Sequence, residues 1–276
     1  MAIKNLLIAY NGSASSDAAL TTAIMMAKKY DAHLTGLLAY GPSPVSDYVR
    51  VHIPEDMQEE IAAMAEKAYD EIEARFHGQI REAGLDDHAH WIRLAQTPDE
   101  AVVEYARYVD ITVMGQFDDS IGDERLILHP DDVALESGRP VLIVPRGGAP
   151  AELGDRAFLA WDGRRSAARA LADAMHILET KSLVTVLTVG DVPGADATPG
   201  LDVEEHLRRH GIGTEWVKLT PSHGSAGRAI IEYSNEHNPG LLVMGAYEHS
   251  KIREDYFGGA TKSALRSSKV PVLMSH

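Results

Sequence analysis

Short apolar runs alternate with longer stretches of mixed polarity along the whole chain. Leu6 to Tyr10 is an apolar run closed by Asn11-Gly12-Ser13, which predicts a buried strand and a turn. The next stretch places Ala18, Ala19, Leu20 and Ile24 on one side of a helix, with Ser15, Ser16 or Asp17 available to cap it. His33 to Tyr40 predicts a second strand, broken by Gly41-Pro42-Ser43-Pro44. Asp47 to Pro54 reads as an irregular excursion, and Glu55 to Ala83 as a long amphipathic helix ending at Gly84. Further strands are expected at His88 to Ala95, at Asp110 to Met114 before Gly115, and at Pro140 to Pro145. Between them, Thr97-Pro98-Asp99-Glu100 starts a helix with proline in its first position. Gln116 to Gly138 has no clear period, although a helix is expected from about Pro130.

Arg146 to Asp155 is rich in glycine, proline and alanine, and residues 147–155 read as a linker between units 1–146 and 156–276. The pattern then restarts. Strands are expected at Ala157 to Trp161, Leu183 to Val189, Thr214 to Leu219, Leu241 to Met244 and Val270 to Met274. Helices are expected at Ala167 to Leu178, Asp202 to His210, Gly227 to Glu236 and Ala260 to Lys269. Three anchors recur in the same order in both halves. Ala9-Tyr10-Asn11-Gly12-Ser13-Ala14-Ser15 matches Ala160-Trp161-Asp162-Gly163-Arg164-Arg165-Ser166. Thr112-Val113-Met114-Gly115 matches Leu242-Val243-Met244-Gly245, and Arg139-Pro140-Val141-Leu142 matches Val270-Pro271-Val272-Leu273. Alternating strands and helices imply an α/β fold of two tandem, doubly wound, parallel five-stranded sheets, Rossmann-like or flavodoxin-like. The apolar last strands, Val141 to Val144 and Val272 to Met274, are edges that need a partner. Ligands in such folds sit at the carboxyl ends of strands where strand order reverses.

Composition narrows the function classes. The 276 residues carry a net charge of −15, which argues against general binding to nucleic acid or anionic membranes. There is no cysteine, so disulfides, thiolate metal sites and cysteine nucleophiles are excluded. The apolar run at the N-terminus is too short for a signal peptide. No segment approaches the roughly 18 apolar residues of a membrane span. A cytoplasmic protein is expected.

The stretch with the most chemistry runs from Met244-Gly245 to Gly258-Gly259-Ala260-Thr261. A strand ends in glycine, a polar loop follows, and a glycine pair opens a helix, where exposed backbone N–H groups favour an anion. At these residues, and in the repeat, the whole chain resembles the universal stress protein family in its tandem form. Nucleotide-binding members carry an Asp after the first strand and a glycine motif after the fourth: Gly, two residues, Gly, nine residues, Gly, then Ser or Thr. A Pro-Val strand follows. Here Gly245 takes the first position, Gly258 the third, and Pro271-Val272 lies where expected. Glu248 stands at the second glycine and Gly259 at the Ser/Thr position, with Thr261 as a substitute hydroxyl and Lys251, Arg253 and Lys262 as offsetting cations. The resemblance implies an adenine-nucleotide (ATP) site, with Mg²⁺ accompanying it, in the second half. Asp162, with Gly163 in its turn, and Val189 would hold the base; Met244, Gly245, Gly258, Gly259 and Thr261 would hold ribose and phosphates. In the first half Asn11 replaces the Asp, Asp118 takes the second glycine's place, and Leu128-His129 replace Gly-Ser/Thr. Asp118, Asp119, Asp123 and Glu124 make that loop acidic, and no nucleotide is expected there. In the family the edge strands build a dimer, so a tandem chain is expected to pack as an internal pseudo-dimer, with a further homodimer left open.

Other chemistry has weaker support. His206 and His210 are four apart on a helix, but two arginines lie between them and no third ligand is evident. His88 and His90 are expected on one face of a strand, with Trp91 on the other. No Ser-His-Asp set is visible, and the serines at strand-to-helix turns lack the Gly-x-Ser-x-Gly elbow. No positioned base or metal set is evident either, so ATP hydrolysis would be slow at most. The expectation is therefore a regulatory stress-response protein rather than a catalyst. Two alternatives stand beside it. One is a nucleotide-independent protein that binds an unknown partner, using the excursion around Tyr48 and the acidic loop Asp118 to Glu124. The other is a carrier of a small molecule in the crevice between the halves.

Overall fold

The computed structural model describes residues 3–42, 52–148, 153–190, 201–223, 225–246 and 265–276. The first half runs β1 (Asn5–Ala9), α1 (Ala14–Tyr30), β2 (His33–Ala39), α2 (Glu55–Ala83), β3 (Ala89–Leu94), α3 (Pro98–Ala106), β4 (Ile111–Gly115), α4 (Pro130–Glu136) and β5 (Val141–Val144). The second runs β6 (Arg156–Ala160), α5 (Arg165–Leu178), β7 (Leu183–Val189), α6 (Val203–Arg209), β8 (Gly213–Leu219), α7 (Ala226–His237), β9 (Leu241–Gly245) and β10 (Val272–Ser275).

These strands form one sheet in the order β3-β2-β1-β4-β5-β10-β9-β6-β7-β8. Within each half every pairing is parallel, as crossover helices require. The halves meet where β5 pairs antiparallel with β10, Leu142 opposite Leu273. The two apolar edges thus cover each other and a ten-stranded sheet results, which is the internal pseudo-dimer expected from the repeat. Both sheet faces are buried. One packs Leu6, Ile8, Leu159 and Val243 under α1, α2, α5 and α6. The other packs Leu7, Met114, Ile143, Leu242 and Met274 under α3, α4 and α7.

Local chemistry explains most boundaries. α2 stops where Gly84 adopts φ 69° and its N–H returns to the carbonyls of Ile80 and Arg81. α1 starts two to four residues earlier than Ser15, Ser16 or Asp17 would allow as caps. Ser13 is the cap, its Oγ accepting from the N–H of Ser16 at 3.1 Å. His88 does not share a strand face with His90. It lies in the short turn before β3, and its ring stacks on His33 at 4.9 Å. Part of the expected linker is embedded: Leu153 is buried, and Lys181 Nζ donates to the carbonyls of Leu153 and Gly154 at 3.0 and 2.6 Å.

Candidate functional site

β6 and β9 are parallel neighbours, Leu159 opposite Val243, and strand order reverses between them because β7 and β8 lie beyond one and β10 beyond the other. From β6 the chain turns sharply into α5. The Trp161 N–H donates to the Leu187 carbonyl at 2.9 Å, Asp162 Oδ1 accepts from the Arg164 N–H at 2.9 Å, and Gly163 takes φ 73°. The Asp162 side chain remains exposed at this rim. Gly245 ends β9 beside it. A Cβ there would lie 2.6 Å from the Ser166 carbonyl carbon and 2.8 Å from the Ala167 nitrogen, so glycine lets β9 abut the start of α5. Asp162, Gly163 and Gly245 therefore lie together at the carboxyl ends of two neighbouring parallel strands. Val189 sits one strand further out, half-buried, opposite Leu219. Met244 is 3% exposed and its side chain belongs to the core, so only its backbone can face the crevice. Gly258, Gly259 and Thr261 lie outside the described residues, as do Glu248, Lys251, Arg253 and Lys262.

The equivalent crevice of the first half is closed by the chain itself. Asn11 is 6% exposed. Its Nδ2 donates to the Leu126 carbonyl at 2.9 Å, and its Oδ1 accepts from Ser13 N and Oγ at 3.2 and 2.8 Å. The Gly41 N–H donates to the Arg125 carbonyl at 3.0 Å. Leu126, itself buried, thus plugs the ends of β1 and β2 from a short 3₁₀ turn. Asp123 holds that turn with a two-pronged pair to Arg125, at 2.9 and 2.8 Å, and the hydrogen bonds from Arg125, with its charge, keep the carboxyl below the usual carboxylate range against the opposing effect of burial. The Arg125 guanidinium lies 5.8 Å from the Tyr69 ring, which stacks on Tyr40 at 4.3 Å. Residue type decides this arrangement. An asparagine amide can donate to a carbonyl; a carboxylate at the same place only accepts. Asn11 was therefore the sequence signal for the plug, and Leu126 the residue that the sequence did not single out.

Half of the acidic loop is spent inside the fold: Asp118 and Asp123 are tied to neighbours, whereas Asp119 and Glu124 are exposed. Asp118 is buried, accepts from Ser120 N and Oγ at 3.1 and 2.6 Å, and pairs with Arg146 at 3.0 Å. Burial opposes its ionisation, but the Ser120 hydrogen bonds and the Arg146 charge outweigh it and hold the carboxyl below its ordinary value. His210 Nδ1 lies 2.8 Å from Glu179 Oε1, and its ring centroid 5.0 Å from that of His206. Among the described residues no group of three His, Asp or Glu is placed to hold a metal ion. No described helix is long and apolar enough to cross a membrane.

The model of the universal stress protein family matches residues 2–145 and again 155–276. The chain belongs to the universal stress protein family. A universal stress protein of Synechocystis is 32% identical over 143 residues, covering 49% of this chain and 46% of that relative, so the alignment spans about half the length of each. The crystal structure of a universal stress protein from Archaeoglobus fulgidus superposes with a TM-score of 0.71 at 22% identity, covering 98% of this chain and 97% of that one. A functionally unknown protein of Pseudomonas aeruginosa gives 0.58 at 15% identity, with 99% and 92% covered. At these identities the structural likeness establishes the fold, and any ligand has to be argued from the chain's own residues.

Proposed function

We propose that this universal stress protein binds one adenine nucleotide, ATP with Mg²⁺, in its second half, and that it acts in the cytoplasm as a regulatory stress-response protein. The observation that carries the reading is the contrast between the two crevices. Asn11 is buried and tied to Leu126, whereas Asp162 is exposed at the same point of the repeat. An exposed carboxylate has oxygen lone pairs to accept from the N–H donors of a base besides the bond from Arg164, and Val189 offers an apolar wall one strand away. Backbone N–H groups at Gly245 and from Gly258 to Thr261 would take the phosphates. These groups orient a ligand and do not activate water, so the reading is binding rather than catalysis. The proposal includes a division of the chain at residues 147–155, with the first unit serving as a closed partner.

Substitution separates the halves. Asp162→Ala and Gly258→Val should each weaken ATP binding at least about tenfold, by loss of one charge-assisted hydrogen bond or of backbone approach. Both should keep the wild-type circular dichroism, and Asn11→Ala should leave affinity unchanged. Equal ATP affinity in all three variants would overturn the site.

A nucleotide-independent partner has one observation in its favour. Met57, Ile61 and Met64 are exposed at helical spacing on the first turns of α2. Glu55, Asp56, Glu59 and Glu60 surround them, so charge complementarity selects a basic amphipathic segment and disfavours a second acidic copy. Capture of a basic amphipathic peptide that is lost in Ile61→Glu and insensitive to ATP would support this reading. Equal binding by Ile61→Glu would remove it.

A further inference from the structure

Two segments face each other at the seam between the halves. One is Pro145-Arg146-Gly147-Gly148, leaving β5; the other is Arg266 to Lys269, entering β10. Gln116 fastens them at the base. Its Nε2 donates to the carbonyls of Leu265 and Ser268 at 2.9 and 2.7 Å, and its Oε1 accepts from the Arg146 N–H at 3.1 Å. The segments flank an open cleft of about 310 Å³. We propose that this cleft is an anion site, separate from the nucleotide crevice, for a small polyanion of the pyrophosphate type.

The charges point that way. Arg146, Arg266 and Lys269 line the cleft, and among the described residues no carboxylate does. In this chain of net charge −15, Arg93, Arg125, Arg169 and Arg208 by contrast each pair with a neighbouring acid. Arg146 is shared with Asp118 at 3.0 Å and Asp119 at 4.0 Å. Arg266 and Lys269 lack an ion-pair partner among the described residues, which favours a ligand with at least two negative charges over a simple carboxylate.

The donors are also held in place. The Arg266 guanidinium lies 3.8 Å from the centroid of the Phe117 ring. A guanidinium stacked on a ring spends its face there and keeps its in-plane N–H donors for an anion. Arg146 is steadied by the Phe117 carbonyl at 3.2 Å. Since Gln116 locks both walls, little ordering cost remains for binding. The volume exceeds what one orthophosphate fills and accommodates two linked phosphoryl groups.

The test is calorimetric titration of the full chain with inorganic pyrophosphate, in wild type, in Arg266→Gln/Lys269→Gln and in Gly258→Val. Saturable binding should weaken at least about tenfold in the double variant, because two charge-assisted contacts are lost. Gly258→Val should keep it, and ATP affinity should not change in the double variant. Wild-type affinity should also fall between about 50 and about 200 mM salt. No saturation up to roughly 10 mM pyrophosphate, an affinity equal to wild type in the double variant, or loss in Gly258→Val would each overturn the proposal. A failure of the nucleotide site would leave the pyrophosphate titrations readable, so the two outcomes are distinguishable.

Discussion

Replacing Gly115 and Gly245 by alanine, one at a time, asks what the first glycine of the motif does. A Cβ at Gly115 would lie 2.5 Å from both the carbonyl carbon and the oxygen of Ser15; at Gly245 it would lie 2.6 Å from the Ser166 carbonyl carbon. The obstacle in each case is helix backbone, which cannot rotate aside as a side chain can. Forcing a methyl group into such a contact costs typically about 1–3 kcal/mol, and backbone neighbours place both sites at the upper end. Alanine's lower unfolded-state entropy returns at most about 1 kcal/mol. The net expectation is a loss of about 2 kcal/mol at each position, or about 4–8 °C in Tm for units of this size. The assay is urea unfolding followed by circular dichroism without ligand, with Gly78→Ala as the control. Gly78 lies inside α2 with no atom within 4 Å of a built Cβ, so that change should stabilise by about 1 kcal/mol. The decisive comparison is between the halves. The two losses should agree within about 1 kcal/mol, although only the second half is assigned a ligand. If Gly115→Ala were silent while Gly245→Ala only weakened ATP binding, the packing account of this glycine would be refuted.

Asn11→Asp should cost about 1–3 kcal/mol at neutral pH, because the donor to the Leu126 carbonyl is lost and a carboxylate is buried beside an oxygen. Part of that loss should return in acid, where the protonated group can donate again. Tyr10→Phe removes the 2.6 Å hydrogen bond from a fully buried hydroxyl to Asp17 and should cost about 1 kcal/mol in the same unfolding assay. Asp118 has a folded pKa below its ordinary 3.8, so its stabilisation is present above that value and disappears as pH falls through the lower folded one. Asp118→Asn should therefore be less stable at neutral pH and show a flatter decline below pH 3.8. An acid limb as steep as that of the wild type would contradict this.

Much of the architecture was legible because it rests on periodicity. The apolar runs at Leu6, Ile111, Val141 and Leu241 are strands, and three repeated anchors specify two copies of one unit. Even the junction could be read, since two apolar edge strands in one chain have each other to pair with. Boundaries shifted where caps decide them, as at Ser13, because Ser13, Ser15 and Ser16 offer the same hydroxyl and only backbone geometry selects among them. The candidate site was only partly legible. Asp162, Gly163 and Gly245 come together because neighbouring strand ends gather them; that they hold a ligand is a proposal. Met244 does not offer its side chain, since the strand parity that makes it apolar also turns it into the core. The plug at Leu126 escaped notice because residues 116–138 carry no period, and because a single Asn-for-Asp exchange reads as a loss of binding rather than as a new hydrogen bond. The clamp at Gln116 was invisible for a similar reason: its partners, Leu265 and Ser268, are backbone carbonyls about 150 residues away.

The central claim is one live crevice and one closed one in the same chain. Titration of ligand-stripped protein with ATP and Mg²⁺, read as stoichiometry by calorimetry, tests it most directly. One site per chain is expected, weakened at least about tenfold in Asp162→Ala and kept in Asn11→Ala. Two equivalent sites per chain, or no heat and no thermal shift up to about 1 mM nucleotide, would contradict it.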